Sequence, residues 1–457
     1  MNFKAGKAMD KLTKRLILIE LNEINFDIVK NYINDNPLRF SSLNRLFLGA
    51  GIRTSSEVKY EELEPWIQWA SVHTCKTYSE HGIFRLGDIV GSKAPQIFEQ
   101  IEHAGYRVGA ISPMNAENRL DFPAFFIPDP WTRTHADSSW WSQSLTQAVS
   151  QTVNDNSQAR ITPKSAMQLA LGLLRFARVE HYKKYLSLAV TSRRKPWLRA
   201  LLLDLLLHDV HLSMFDSKKP NFSTVFLNAG AHIQHHYLFN AEPIRKSSIN
   251  KNPNWYVAPE EDPLADVLSL YDMIVGEYLK RNGVELIVAT GLSQRVYDRV
   301  KFYYRLKSHE NFLSQIDILF NSVHPRMTRD FLIEFDNEEQ TLQAQHKLAK
   351  VFVDGEGVNL FGEIDNRGTS LFVTLTYPHE ITESTYFLVG DRKLPLMPEV
   401  SFVAIKNGMH QEEGFAFFSP GVASFAPDDK SHVAELGKTI LRFFGVQQDS
   451  AENAVSS

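Results

Sequence analysis

The residues of this chain best suited to chemistry are a group of histidines with a few polar side chains of matching type. His232, His235 and His236 fall within five positions, directly after the apolar run Phe222 to Leu227. On a helix, the four-residue spacing of His232 and His236 puts both imidazoles on one face, within reach of one metal ion. His410 lies in Gly408-Met-His410-Gln-Glu-Glu-Gly414, ahead of the apolar run Phe415 to Phe418. Neutral imidazoles ligate zinc-like cations, and they also serve as general acids or bases. Oxygen-bearing side chains follow two of the apolar runs: Asn22 and Glu23 after Leu16 to Leu21, and Asn228 after Leu227. Asn is a neutral isostere of Asp and a weaker ligand. Glu23 carries charge, but it sits one residue further on, so strand alternation points its side chain another way. The plainer alternative is that Asn22 caps a turn and Glu23 is solvated.

A second stretch is Leu63 to Asp88, which reads LEPWIQWASVHTCKTYSEHGIFRLGD. Pro65, Trp69, Ser71, Thr77 and His81-Gly82-Ile83 fall in step with the nucleophile segment of the alkaline phosphatase superfamily. The likeness is greatest to its type I phosphodiesterase/nucleotide pyrophosphatase-like branch. In that pattern the nucleophile's place is taken by Gln68, whose amide has no activated lone pair for displacement. Ser71 and Thr74 could serve only in a different backbone register. His232 and His410 stand where the family has metal-binding histidines. Asn22 and Asn228 stand where it has acids, and Thr290-Gly291-Leu292-Ser293-Gln294 replaces its Ser-Asp-His-Gly. The resemblance therefore implies the superfamily's fold with a degenerate metal and nucleophile site.

The elements expected to position these residues are those of an α/β protein. Leu16 to Ile19, Arg107 to Ser112, Phe222 to Leu227, Val284 to Ala289 and Val400 to Ile405 are short apolar runs of the kind that make buried strands. Pro95 to Ala104, Pro263 to Arg281 and His432 to Phe444 have helical spacing. The expected fold is an alkaline-phosphatase-like, mostly parallel central sheet flanked by helices, with a helical cap insertion and a small α+β insertion. Expected boundaries are core over 14–130, cap over 131–221, core over 222–301, small insertion over 302–384, core over 385–446 and a disordered tail over 447–457. In the cap, nine basic residues lie between Lys164 and Arg199 against one acid, Glu180, with Leu, Phe, Tyr and Trp interleaved. A solvated helical face is the plainer reading, and an anionic membrane or substrate contact is the sharper one.

Composition excludes several classes. The chain has 457 residues, 43% hydrophobic and 22% charged, with a net charge of -4, which gives no global reason for nucleic-acid binding. The single Cys75 rules out an internal disulfide. No apolar run is long enough to span a bilayer, so the cytoplasm is the default expectation.

The expected function is cleavage or transfer of a phosphate or sulfate ester on an anionic, nucleotide-, glycan- or lipid-linked substrate. His232, His410, Asn22, Glu23 and Asn228 are the candidate metal-site residues, able to hold at most one divalent ion (Zn, Mn or Mg), or none. Gln68, His235 and His236 are the candidate catalytic or substrate-contacting residues. The alternative is a catalytically inactive binding or scaffold protein on the same fold.

Overall fold

The computed structural model describes residues 14–154, 162–326 and 329–447. The polar tail expected from 447 lies, beyond its first residue, outside the described residues. Two compact units emerge, one formed by residues up to 247 with 260–296 and 408 onward, the other by 248–259 with 297–407.

The first unit is built on an eight-stranded sheet. Its strands are β1 (Leu16–Leu21), β2 (Ala50–Ser55), β3 (Val108–Ile111), β4 (Phe125–Ile127), β5 (Phe222–Leu227) and β6 (Glu285–Ala289). Beyond β7 (Ser293–Leu306) and β8 (Val400–Gln411), which form a separate two-stranded sheet, come β9 (Gly414–Phe418) and β10 (Ser431–His432). The spatial order is β10-β2-β9-β6-β1-β5-β3-β4. β1 pairs in parallel with both β5 and β6, and only β9 runs against its neighbours. The fold class is therefore α/β, as the pattern of apolar runs predicts. Central strands buried on both faces are near-continuously apolar: Leu16, Ile17, Leu18, Ile19 and Leu21 are all fully buried, and so is the one charged residue of β1, Glu20, whose carboxylate accepts from the Thr224 hydroxyl of β5.

Register decides where the functional residues emerge. Leu21 lies opposite Leu227, and Glu20 lies opposite Ala289. The residues that follow, Asn22 and Glu23, Asn228, and Thr290, thus leave the sheet together at one edge. This is the carboxyl edge, where α/β folds place ligands.

The helices that pack on this sheet include α1 (Phe26–Asp35), α2 (Pro65–Thr74) and α3 (Ile97–His103). The cap contributes α4 (Trp140–Asn154), α5 (Pro163–Phe176), α6 (Tyr182–Thr191) and α7 (Leu198–Lys218). The core resumes with α8 (Ala229–Tyr237), α9 (Pro263–Leu279) and α10 (Ala434–Phe444). Their starts are readable from local chemistry. Thr162 and Asp262 each cap a helix whose first residue is Pro, and each side chain accepts a backbone N–H of the first turn. α10 lies so close to α2 that a Cβ on Gly437 would stand 2.0 Å from the Val72 carbonyl oxygen.

The cap is mainly helical, as expected, and α7 packs against β3 and β5. Its anchor is a buried ionic network. His181 donates from Nδ1 to Asp209 at 2.7 Å and from Nε2 to Glu277 of α9 at 2.8 Å. His208 donates to the other Glu277 oxygen at 3.1 Å, and Tyr185 donates to Asp209 at 2.9 Å. Burial lowers the His181 pKa, but the hydrogen bonds to Asp209 and Glu277 outweigh it and push the value up to about 9. A histidine whose pKa rises on folding stabilises fully below its unfolded value, near 6.5, and that contribution is lost as pH rises through about 9. Thermal melts between these pH values are expected to fall for the natural chain and to flatten for His181→Gln. Parallel curves would contradict this.

The second unit holds two four-stranded antiparallel sheets. Its elements include the strand Asp330–Glu334, the helix Glu338–Leu348 and the strand Ser370–Leu375, so the unit is α+β in class. Phe312, Phe331, Phe361 and Phe387 fill its core. The unit extends beyond 302–384 at both ends. Val400 to Ile405, expected as a core strand, is instead the start of β8, outside the central sheet. Residues 248–259 join the unit through Asn252, whose side-chain amide exchanges hydrogen bonds of 2.8 and 3.0 Å with that of Asn407.

Candidate metal centre

The site begins at a turn. After β1 the backbone of Glu23 adopts a φ of 61°, a left-handed conformation that costs a non-glycine residue about 1–2 kcal/mol. It is held there by a hydrogen bond from its N–H to Thr290 O at 3.0 Å, while Asn22 N donates to Leu227 O at 3.1 Å. The left-handed turn breaks strand alternation. Glu23 therefore faces the same edge of the sheet as Asn22, where alternation alone points it away, and it is buried.

Glu23 is the centre of the site. Its Oε2 accepts from His235 Nε2 at 2.9 Å, from His410 Nε2 at 3.0 Å and from Gln294 Nε2 at 2.6 Å. The two imidazole nitrogens are themselves 3.2 Å apart. The other carboxylate oxygen accepts from Asn22 Nδ2 at 2.9 Å. Burial raises the Glu23 pKa, but the neighbouring His410 and His235 outweigh it, and the carboxylate is held well below its usual range.

The supporting shell consists of amides and an indole. Asn22 Nδ2 also donates to Asn228 Oδ1 at 2.8 Å, and Asn22 Oδ1 accepts from Trp69 Nε1 at 2.8 Å. Gln234 Nε2 donates to Glu23 O at 2.7 Å, and its Oε1 accepts from Asn25 N at 3.1 Å. Asn25 Nδ2 reaches Gln294 O at 2.8 Å, while the Asn25 Oδ1 accepts from the first turn of α1. Glu64, at the start of α2, is 3.7 Å from His410 Nδ1. Gly408 permits this packing, since a Cβ there would meet Gln294 Oε1 at 2.1 Å.

Of the residues expected from sequence, the structure brings together Glu23, His235 and His410, with Asn22 and Asn228 behind them. His232 stands apart from that cluster. It is exposed, with its ring 4.8 Å from that of His236. Both lie on α8, and the helix turns His235 rather than His232 toward Glu23. α8 itself is fixed by Asp204 of α7, which accepts from Asn228 N at 3.2 Å, Ala229 N at 2.9 Å and Tyr271 Oη at 2.7 Å. Burial pushes the Asp204 pKa up to about 6. Asp204, Gln234, Asn25 and Glu64 carried no signal in the sequence, because each acts through a contact distant along the chain.

Gln68 is fully buried on α2, and its Nε2 donates to Glu62 O at 2.9 Å. Among the described residues its Oε1 has no hydrogen-bond partner. Ser71 and Thr74 are also buried, and both are committed to structure. Thr74 Oγ1 donates back to Ala70 O at 2.8 Å. Ser71 Oγ lies 3.0 Å from His81 Nε2 and donates to Ile67 O at 3.1 Å. His81 Nδ1 accepts from Ile83 N at 2.9 Å, so its proton sits on Nε2 and is donated to the serine. That is the opposite of what base activation requires. Ser71→Ala is therefore expected to cost about 1 kcal/mol of stability and to leave metal binding and any turnover unchanged. A large loss of turnover at unchanged stability would contradict this.

The two histidines and the carboxylate form a group whose ligand atoms all lie within 4.8 Å of one another. Two imidazoles and a carboxylate suit one borderline cation such as zinc, with a position left open. A second cation does not fit. Asn22 and Asn228 are neutral and hydrogen-bonded to each other, and Gly291, which packs on the Trp69 ring, offers no side-chain ligand.

Comparison with known proteins adds context of fold. No family model and no curated protein matches the chain. Among solved structures it is similar to phosphonoacetate hydrolase from Sinorhizobium meliloti 1021, at 12% identity and a TM-score of 0.41, covering 94% of this chain and 96% of the other. It is also similar to murine ectonucleotide pyrophosphatase/phosphodiesterase 5, at 11% identity and a TM-score of 0.40, covering 95% and 96%. The alkaline phosphatase of Thermus thermophilus matches at 11% identity and a TM-score of 0.43, covering 96% and 93%. Overlaps this loose carry no argument about chemistry, which rests on the side chains themselves.

Proposed function

We propose that this chain is a divergent alkaline-phosphatase-superfamily protein that binds one divalent cation through Glu23, His235 and His410 and acts on a phosphate or sulfate ester. The observation that carries the reading is the convergence of one carboxylate oxygen and two imidazole nitrogens, within 4.8 Å of one another, at the carboxyl edge of the sheet. His235 and His410 remain partly open to solvent, so an anionic ligand has a route to them.

A cation held there supplies charge neutralisation and polarisation of an ester oxygen. The chain's own residues set the rest. Gln68 cannot attack phosphorus, and Ser71 and Thr74 are bonded inward, so the attacking group is water or an acceptor hydroxyl. His236, whose ring lies 6.2 Å from that of His235, is the nearest further imidazole on the helix and the candidate proton donor or acceptor. Asn22 and Asn228 keep the Glu23 carboxylate in place rather than adding charge. The substrate is a small anionic ester, with a glycan or lipid link as the finer expectation, and the cytoplasm is the expected location. Among the described residues no helix is long and apolar enough to cross a membrane.

One observation favours a second reading, a recognition pocket without turnover. Glu23 already accepts from four side chains, so the network is satisfied without a cation. The test is turnover of p-nitrophenyl phosphate, bis-p-nitrophenyl phosphate and p-nitrophenyl sulfate with zinc, manganese or magnesium added. Metal-dependent turnover lost in His235→Ala and His410→Ala is the expected result. Metal binding without turnover of any ester would favour the recognition pocket, and no metal binding would remove the basis of the proposal.

A further inference from the structure

The cap carries a feature that the metal centre does not use. α5 packs inward through Ser165, Gly172 and Phe176: Phe176 meets the Trp141 ring of α4, and a Cβ on Gly172 would meet Leu145 at 2.7 Å. Its apolar residues Met167 and Leu174 face out, Leu174 at 79% exposure. The connection to α6 exposes Val179 at 73%. On α6, Tyr182, Leu186 and Val190 recur every four residues along one stripe, with Leu186 at 68% and Val190 at 60% exposure. A helix of a protein alone in water turns such a stripe toward its core, so this one is built for contact.

Charge identifies the contact. Of the nine basic residues between 164 and 199, Arg178 is 3.7 Å from Glu277 and Lys195 pairs with Glu261. Lys164, Arg175, Lys183, Arg193, Arg194 and Arg199 are exposed on the same stretch of chain as these apolar residues, and the stretch has a single acid, Glu180. A second copy of the chain is a poor occupant, because a two-fold contact would set this cationic surface against itself. A surface that is anionic outside and apolar just beneath matches both features.

We propose that the α5–α6 face of the cap docks peripherally on membranes rich in anionic phospholipid. The cationic side chains meet headgroups, and Leu174, Val179, Leu186 and Val190 enter the acyl boundary. This docking is independent of the metal site.

The test is co-sedimentation of the full chain with phosphatidylcholine vesicles, with and without phosphatidylserine, at low and high salt. Partitioning is expected to be at least about tenfold stronger with phosphatidylserine and to fall with salt. Leu174→Glu and Leu186→Glu are each expected to weaken it about tenfold, with unchanged melting curves because both side chains are exposed. Lys183→Glu with Arg193→Glu should remove the preference for anionic lipid, and His235→Ala should bind vesicles like the natural chain. No preference for phosphatidylserine, or full binding by Leu186→Glu, would overturn the proposal. A dimer by light scattering that Leu186→Glu dissolves, without vesicle binding, would overturn it in favour of self-association.

Discussion

Glu23→Gln is expected to lower affinity for a divalent cation at least about a hundredfold, more than removal of an outer-shell partner typically costs. Gln is isosteric with Glu and keeps an acceptor for Gln294, His235 or His410, so the fold should survive the change. What is lost is the single negative charge among the converging ligand atoms. Asn22 and Asn228, which are neutral amides, cannot replace it. The two remaining imidazoles are neutral when they ligate and form a weak site alone. Titration against a chromophoric chelator, for the natural chain and the variant, measures the ratio directly. Unchanged affinity would place the cation elsewhere, and the group of His181, His208 and Asp209 would be the next place to look.

Asp204→Ala is expected to destabilise the protein by about 3 kcal/mol and to weaken metal binding at a distance. Asp204 accepts two backbone N–H groups at the start of α8 and the Tyr271 hydroxyl. Truncation leaves these buried donors unpaired, and hydrogen bonds to a charged acceptor are worth about 1.5–3 kcal/mol each before relaxation. α8 then loses the contact that fixes it, and with it the direction of His235. Asp204→Asn separates charge from geometry. A carboxylate whose folded pKa is raised to about 6 gives stability that is present at low pH and declines as pH rises from about 4 through 6. Chemical denaturation should show the natural chain losing up to about 3 kcal/mol relative to Asp204→Asn between pH 4 and 7. A constant difference between the two across that range would contradict the assignment.

Much of the scaffold was legible because buried strands and amphipathic helices write their periods into sequence. The apolar run Leu16 to Leu21 and the periodic segment from Pro263 are where they were expected. Val400 to Ile405 was misplaced because an apolar run reveals a strand but not which sheet it joins. The direction of the Glu23 side chain differs from the expected one for another reason. Strand alternation governs residues in extended backbone, and the left-handed turn at Glu23 ends that rule one residue early. The choice among His232, His235 and His236 depends on the rotation of α8, which is set by Asp204 and Tyr271, residues far away in the chain. Motif spacing holds no record of such contacts.

The most direct test of the account is anomalous diffraction at the zinc edge from crystals of the purified protein grown with zinc. One peak bounded by Glu23, His235 and His410 is the predicted result. A pair of peaks there, or zinc bound only at the His181, His208 and Asp209 group, would contradict the single-cation centre.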